Sequence, residues 1–262
     1  MAEPAYAAQE VVDRVWATAR EHQLGLHRAY FVPPDTRVAT YVVLSAATLG
    51  ACAGAVATFV NGSIAGGVTL TVVAVLLGLL ICLFVSGRSS NRTKRLDLFE
   101  AGLVYSRDHG TPLVVRYHTT SVYREITNYI GSVAGTTHSV KLTAVDGDEF
   151  TLSHHDFGQP SVWGNVIQQD VTTAQLPAAT DALAAGTTVW FGPIWISRTE
   201  VGAKRNSVPW SQIRDIRVYN GSLRITVDGK FFALTDTPVA KIPNFHVLFH
   251  LAQQLRQENS PR

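Results

Sequence analysis

The tract His154-His155-Asp156, with His118 and His138 earlier in the same region, gathers the imidazoles and carboxylate that a metal-activated water would require. Adjacent residues on a strand point to opposite faces, so His154 and His155 can share one ion only past the end of a strand. The expected arrangement is a solvated strand end, and a metal-dependent enzyme built on His154, His155 and Asp156 ranks last among the functional readings. No GxSxG, HExxH, Walker loop or GxGxxG occurs, so no catalytic residue, cofactor or metal is expected. Two basic groups suggest anion recognition instead: Arg107, Arg116 and Lys141 in one stretch, and Arg198, Lys204 and Arg205 in a later one. Each cation held near an anionic leaflet contributes about 1 kcal/mol, so several acting together would matter. Lys204-Arg205 is the better placed pair, on a polar loop with few acidic neighbours.

The elements that must carry these residues begin with a membrane signal. Only 16% of the 262 residues are charged, against about a quarter in ordinary soluble domains. The deficit is concentrated between Val38 and Ser86, a block without Asp, Glu, Lys, Arg or His. About 20 apolar residues cross a bilayer as a helix, so the block predicts two transmembrane spans, 38–60 and 64–86, turned by Asn61-Gly62-Ser63. Arg28 and Arg37 precede the first span, Arg88, Arg92, Lys94 and Arg95 follow the second, and the turn is uncharged. The positive-inside rule then predicts a multi-pass plasma-membrane protein, integral in the lipid bilayer, with both termini cytoplasmic. Ala46, Gly50, Gly54 and Thr58 recur every fourth residue. Such a stripe suits close packing against the second span or against a second copy in a homodimer. Cys52 and Cys82 fall at depths about 13 Å apart on the two spans, which speaks against a disulfide. A net charge of +2 provides no basic stripe for nucleic acid.

Residues 1–37 read as a cytoplasmic segment with an amphipathic helix, Val12, Val15, Trp16 and Ala19 sharing a face ahead of Pro33-Pro34. That helix suits either the inner leaflet, with Trp16 at the interface, or the surface of a cytoplasmic domain. From Leu96 the chain changes to short β-rich runs, LDLFE, LVYSR, LVVRY, HSVKLTAV and EFTLS, separated by turns. A helix around Trp163, Val166 and Ile167 follows, then a second over LPAATDALAAG ending at Gly186. The pattern restarts with TTVWFG, IWISRT, VPWSQIRDIRV, SLRITV and KFFAL, with Asn220-Gly221 and Asp228-Gly229 as two-residue hairpin turns. A last helix carries Phe245, Leu248, Phe249, Ala252 and Leu255 on one face behind an N-cap at Asn244. Aligned, LFEAGLVYSRDHGTPLVVRYHTTSVYREI and WFGPIWISRTEVGAKRNSVPWSQIRDIRV agree in kind, which predicts an internal repeat over 95–186 and 187–258. Trp210 then takes the place of Tyr117. Trp210, Tyr117, Trp163, Phe245 and Leu248 are expected to fill the cores of the two copies.

Two copies of a bent antiparallel sheet capped by a helix resemble tandem pleckstrin-homology-like (PH-like) domains of the bacterial type. More narrowly, LFEAGLVY, FGPIWIS, VPWSQI and IPNFHVLFHLAQQL are similar to stretches in a family of membrane proteins, often actinobacterial, known as a domain of unknown function. The resemblance spans nearly the whole chain. It implies an α+β membrane protein, a two-helix transmembrane hairpin followed by two tandem PH-like domains, each a bent antiparallel sheet capped by a C-terminal helix. It implies no activity. Where lipid-binding PH domains place basic residues in a long first hairpin, the turns here are Glu100-Ala101-Gly102 and Gly192-Pro193, short and without Lys or Arg. The expected function is a membrane-anchored, non-enzymatic scaffold that recruits a protein partner at the inner face of the membrane. Recognition of an anionic lipid headgroup is the alternative.

Overall fold

A strand that precedes the apolar block pairs with the first strand that follows it. In the computed structural model, which describes residues 3–33, 37–91, 94–107, 110–128, 136–154 and 156–259, helix α1 (Glu3–Glu21) leads into β1 (His27–Phe31). Strand β1 pairs antiparallel with β2 (Arg95–Phe99). Between them run the apolar helices α2 (Arg37–Val60) and α3 (Ile64–Asn91). Strands β3 (Gly102–Ser106) and β4 (Leu113–Arg116) complete a four-stranded sheet in the order β1-β2-β3-β4. A three-stranded sheet of β5 (Val122–Asn128), β6 (Thr136–Thr143) and β7 (Glu149–Ser153) follows, and then helix α4 (Pro160–Ala184).

The 1–37 segment, expected to stand apart from the first unit, therefore supplies its first strand. Its helix takes the second of the two anticipated placements: Val15 and Ala19, with Leu24, cover Phe99, Val104 and Val114. The cause is readable in β2 to β4. Leu96, Leu98, Leu103 and Val115 face the central core while Phe99, Val104 and Val114 face outward. A sheet apolar on both faces needs a cover on both faces.

The second unit repeats this plan. Strands β8 (Val189–Phe191), β9 (Ile194–Ile196), β10 (Glu200–Ala203) and β11 (Asn206–Pro209) form a four-stranded sheet. Strands β12 (Ile213–Tyr219), β13 (Ser222–Val227) and β14 (Thr235–Pro238) form a three-stranded one, followed by helix α5 (Phe245–Asn259). Tyr117 and Trp210 hold equivalent places just after the fourth strand, each 1% exposed. The indole of Trp210 donates to the Ser197 carbonyl at 2.9 Å. Counted back from these residues, β1 matches β8 and β2 matches β9, so the alignment of LFEAGL with WFGPI slips by one strand. The strand it lacks lies on the far side of α2 and α3. Trp163 and Leu248 are fully buried in the two cores, while Phe245 is half-buried against the second.

Other expectations are corrected. α4 is one 25-residue helix that runs through Pro177 instead of two short ones. Trp163, Ile167 and Val171 enter the first core, and Leu183, Leu176 and Ala179 pack on the second. Packing on both cores holds the helix together across the backbone bond that Pro177 cannot donate. Asn220-Gly221 does close a two-residue turn, both residues having positive φ. Asp228-Gly229 does not: β13 ends at Val227, β14 begins at Thr235, and KFFAL is a loop on which Phe231 is 95% and Phe232 80% exposed. VPWSQIRDIRV is broken by a 3-10 turn at Trp210–Gln212.

Two 19-residue stretches, Val42–Val60 and Ile64–Cys82, with mean hydropathy 1.8 and 2.5, are long and apolar enough to cross a membrane. The small-residue stripe divides between two environments. A Cβ on Gly54 would stand 3.2 Å from Leu70, and Thr58 lies beside Gly66, so this end packs within the hairpin. Ala46 and Gly50 are exposed.

Candidate functional site

The predicted basic groups do not converge. Arg198 lies before β10 and Lys204-Arg205 after it, about 20 Å apart at ~3.3 Å per strand residue. Lys204 and Arg205 form the tight, exposed turn between Ala203 and Asn206, with Lys204 at φ 56°. In the first unit, Arg116 donates to the His22 carbonyl at 3.1 Å and so ties β4 to the end of α1. Lys141 pairs with Glu149 at 2.6 Å. Arg107 is exposed, its guanidinium 5.6 Å from the Tyr105 ring centre.

The histidine tract is structural at its described end. Asp156 accepts from the Ser153 amide at 3.0 Å and hydroxyl at 2.7 Å, and from Lys94 at 3.3 Å. Burial opposes its charge, yet these bonds hold its carboxyl below the usual range. His154 is half-buried beyond β7, and His155 lies outside the described residues. Among the described residues no group of three or more His, Cys, Asp or Glu is placed to hold a metal ion.

The site that sequence reasoning missed forms where the two units meet, and Asn244 builds it. Expected to cap its own helix, Asn244 adopts φ 49° and turns its side chain to the first unit. Its Oδ1 accepts from the Val122 amide at 2.8 Å, and its Nδ2 donates to the Thr120 carbonyl at 3.1 Å and to Gln175 Oε1 at 2.7 Å. The Asn244 amide donates back to the Val122 carbonyl at 2.9 Å. Asn244→Gly keeps the left-handed backbone open but strips the side-chain bonds. It is expected to lower stability by about 2 kcal/mol, read by urea unfolding, because the Val122 amide is left without its acceptor.

Beside this stitch opens a cleft of about 540 Å³ walled by Val122, Val171, Val239, Phe245 and Phe249. Among the described residues its one guanidinium is Arg124 of β5. That group lies over Gly164 of α4, where a Cβ would meet Nη2 at an ordinary contact distance of 3.6 Å. Nη1 donates to Gln168 Oε1, while Nε is buried without an acceptor. No carboxylate pairs with Arg124 among the described residues; Glu125, which also lines the cleft, is exposed. Burial lowers the Arg124 pKa. Burial first, and then the charge of Arg124, lowers that of His246 on the cleft wall, so His246 is neutral at neutral pH. The arrangement offers apolar walls and one unneutralised cation, which is binding chemistry.

A family described as "Family of unknown function (DUF6585)" matches residues 1–261. No curated protein and no solved structure matches the chain.

Proposed function

The chain belongs to this family of unknown function, and from that premise we propose that it is a membrane-anchored, non-enzymatic binding module: two PH-like domains at the inner face of the plasma membrane that recruit a protein partner. The four-plus-three-strand plan with a closing helix, present twice, supports the PH-like reading. The pairing of β1 with β2 supports the topology, because residues flanking the two apolar helices then lie on one side of any bilayer those helices cross. Arginines at both flanks favour the cytoplasmic side.

One register row carries the recruiting role. In the first sheet, Tyr30, Asp97, Val104 and Val114 stand side by side, and α1 packs on the valines. The matching row of the second sheet is Trp190, Trp195, Gly202 and Ser207. Here the Trp195 ring lies across Gly202, where a Cβ would be 2.1 Å from it, and Trp190 is left 65% exposed. An exposed tryptophan on a rigid sheet is the kind of anchor that centres protein interfaces.

The anionic-lipid reading has its own support, the loop bearing Phe231 and Phe232 beside Lys230 and Arg214, where aromatic and basic residues meet as at a bilayer surface. Photo-crosslinking in cells from position 190, and separately from position 232, tests both. Protein adducts are expected from position 190. Lipid adducts at 232 with none to protein at 190 would shift the assignment to lipid recognition, and silence at both would sink both readings.

A further inference from the structure

The cleft between the units has a composition that selects a ligand. Its volume, about 540 Å³, falls in the range of about 300–1,000 Å³ typical of small-molecule sites, which combine apolar walls with few polar groups. A polyphosphorylated headgroup would call for several cations. Here, among the described residues, a single guanidinium lines the cleft with Val122, Val171, Phe245 and Phe249, and the natural choice for one arginine is one planar anion bound through two N–H groups.

We propose that this cleft binds an aliphatic monocarboxylate, its carboxylate on Arg124 and its chain along Phe245, Phe249 and Val171. The donors are in place. Arg124 gives one N–H to Gln168, and its remaining N–H groups have no acceptor among the described residues. The amides of Phe245 and His246, in the first turn of α5, likewise have none, because the first turn of a helix has no earlier carbonyl to reach. Phe245 and His246 line the cleft together with Arg124, and the first turn of the helix adds its positive end to that charge. A carboxylate neutralises the cation, while the apolar stem replaces water on the valines and phenylalanines. Neutral His246 can add one N–H to the same anion. This inference does not depend on the partner-recruiting reading, since it concerns a different surface.

The test uses the full chain in lipid nanodiscs, with octanoate and octan-1-ol as probes of equal stem length and empty discs as the background. Saturation-transfer NMR is expected to show saturable octanoate binding above the background and octan-1-ol at the background level. Arg124→Met is expected to weaken octanoate at least ten-fold. Equal signals from the acid and the alcohol, or undiminished octanoate binding to Arg124→Met, would overturn the proposal. Should Arg124→Met not fold, the acid-to-alcohol comparison on the unaltered chain decides alone.

Discussion

A chain in which residues 34–93 are replaced by an Asn-Gly turn is expected to fold as a soluble two-unit protein, whereas a chain that begins at Leu96 is expected to aggregate. Phe31 lies opposite Leu96, so continuing the pairing brings Pro33 opposite Lys94, and a two-residue turn of positive φ closes that gap. Nothing in either core is lost by that replacement. A start at Leu96 removes β1, Val15, Ala19 and Leu24 together, and lays bare Phe99, Val104 and Val114, all buried in the intact chain. Each apolar side chain returned to water costs about 1.5–3 kcal/mol, and three or four of them sum to about 5–10 kcal/mol. That is the size of the whole stability of a typical domain. Size-exclusion chromatography with amide exchange on the two shortened chains reads the difference. A well-folded chain from Leu96 would show that α1 and β1 decorate the first unit without completing it.

The apolar block was plain, because a run without charge can be judged locally, and the two helices fall where hydropathy places them. The repeat was also visible, through Tyr117 and Trp210. What the linear reading could not do was join His27–Phe31 to Arg95–Phe99 across the hairpin, since strand pairing leaves no mark on the residues that separate its partners. A clue did exist: LVY and LVV in β3 and β4 are apolar without alternation, and a sheet of that kind demands a second cover. The cleft was hidden for a similar reason. Val122 and Arg124 fall two apart in a β-rich run and so on one face of it, so a cation beside an apolar residue was legible. That no carboxylate pairs with it among the described residues depends on α4 and α5, which come together only in the folded chain. KFFAL went wrong because β propensity measures fit to a pleated surface, and exposed phenylalanines have the same propensity as paired ones.

Asp97→Asn is expected to be the most damaging single change near the apolar hairpin. Asp97 is 1% exposed and accepts from Arg95 Nε at 2.7 Å and Nη2 at 2.9 Å, with His27 Nε2 at 2.8 Å on the same carboxylate. The guanidinium of Arg95 lies 4.3 Å over the Tyr30 ring. This cluster thus links β1 to β2 beside both entrances to the hairpin. Removing the charge leaves a largely buried arginine without a counterion, a loss of about 3–5 kcal/mol. Arg95→Met should cost a comparable amount, but the double variant should be little worse than either single one, because the remaining partner no longer sits buried and uncompensated. Urea unfolding of the hairpin-replaced chain measures all three; strictly additive losses would mean that the pair does not act as a unit. In the full chain, loosening this joint is expected to leave the α2–α3 pair intact while β1 and β2 separate. Crosslinks from position 190 then test whether the second unit still presents its tryptophan when the first has lost its hold on the apolar hairpin.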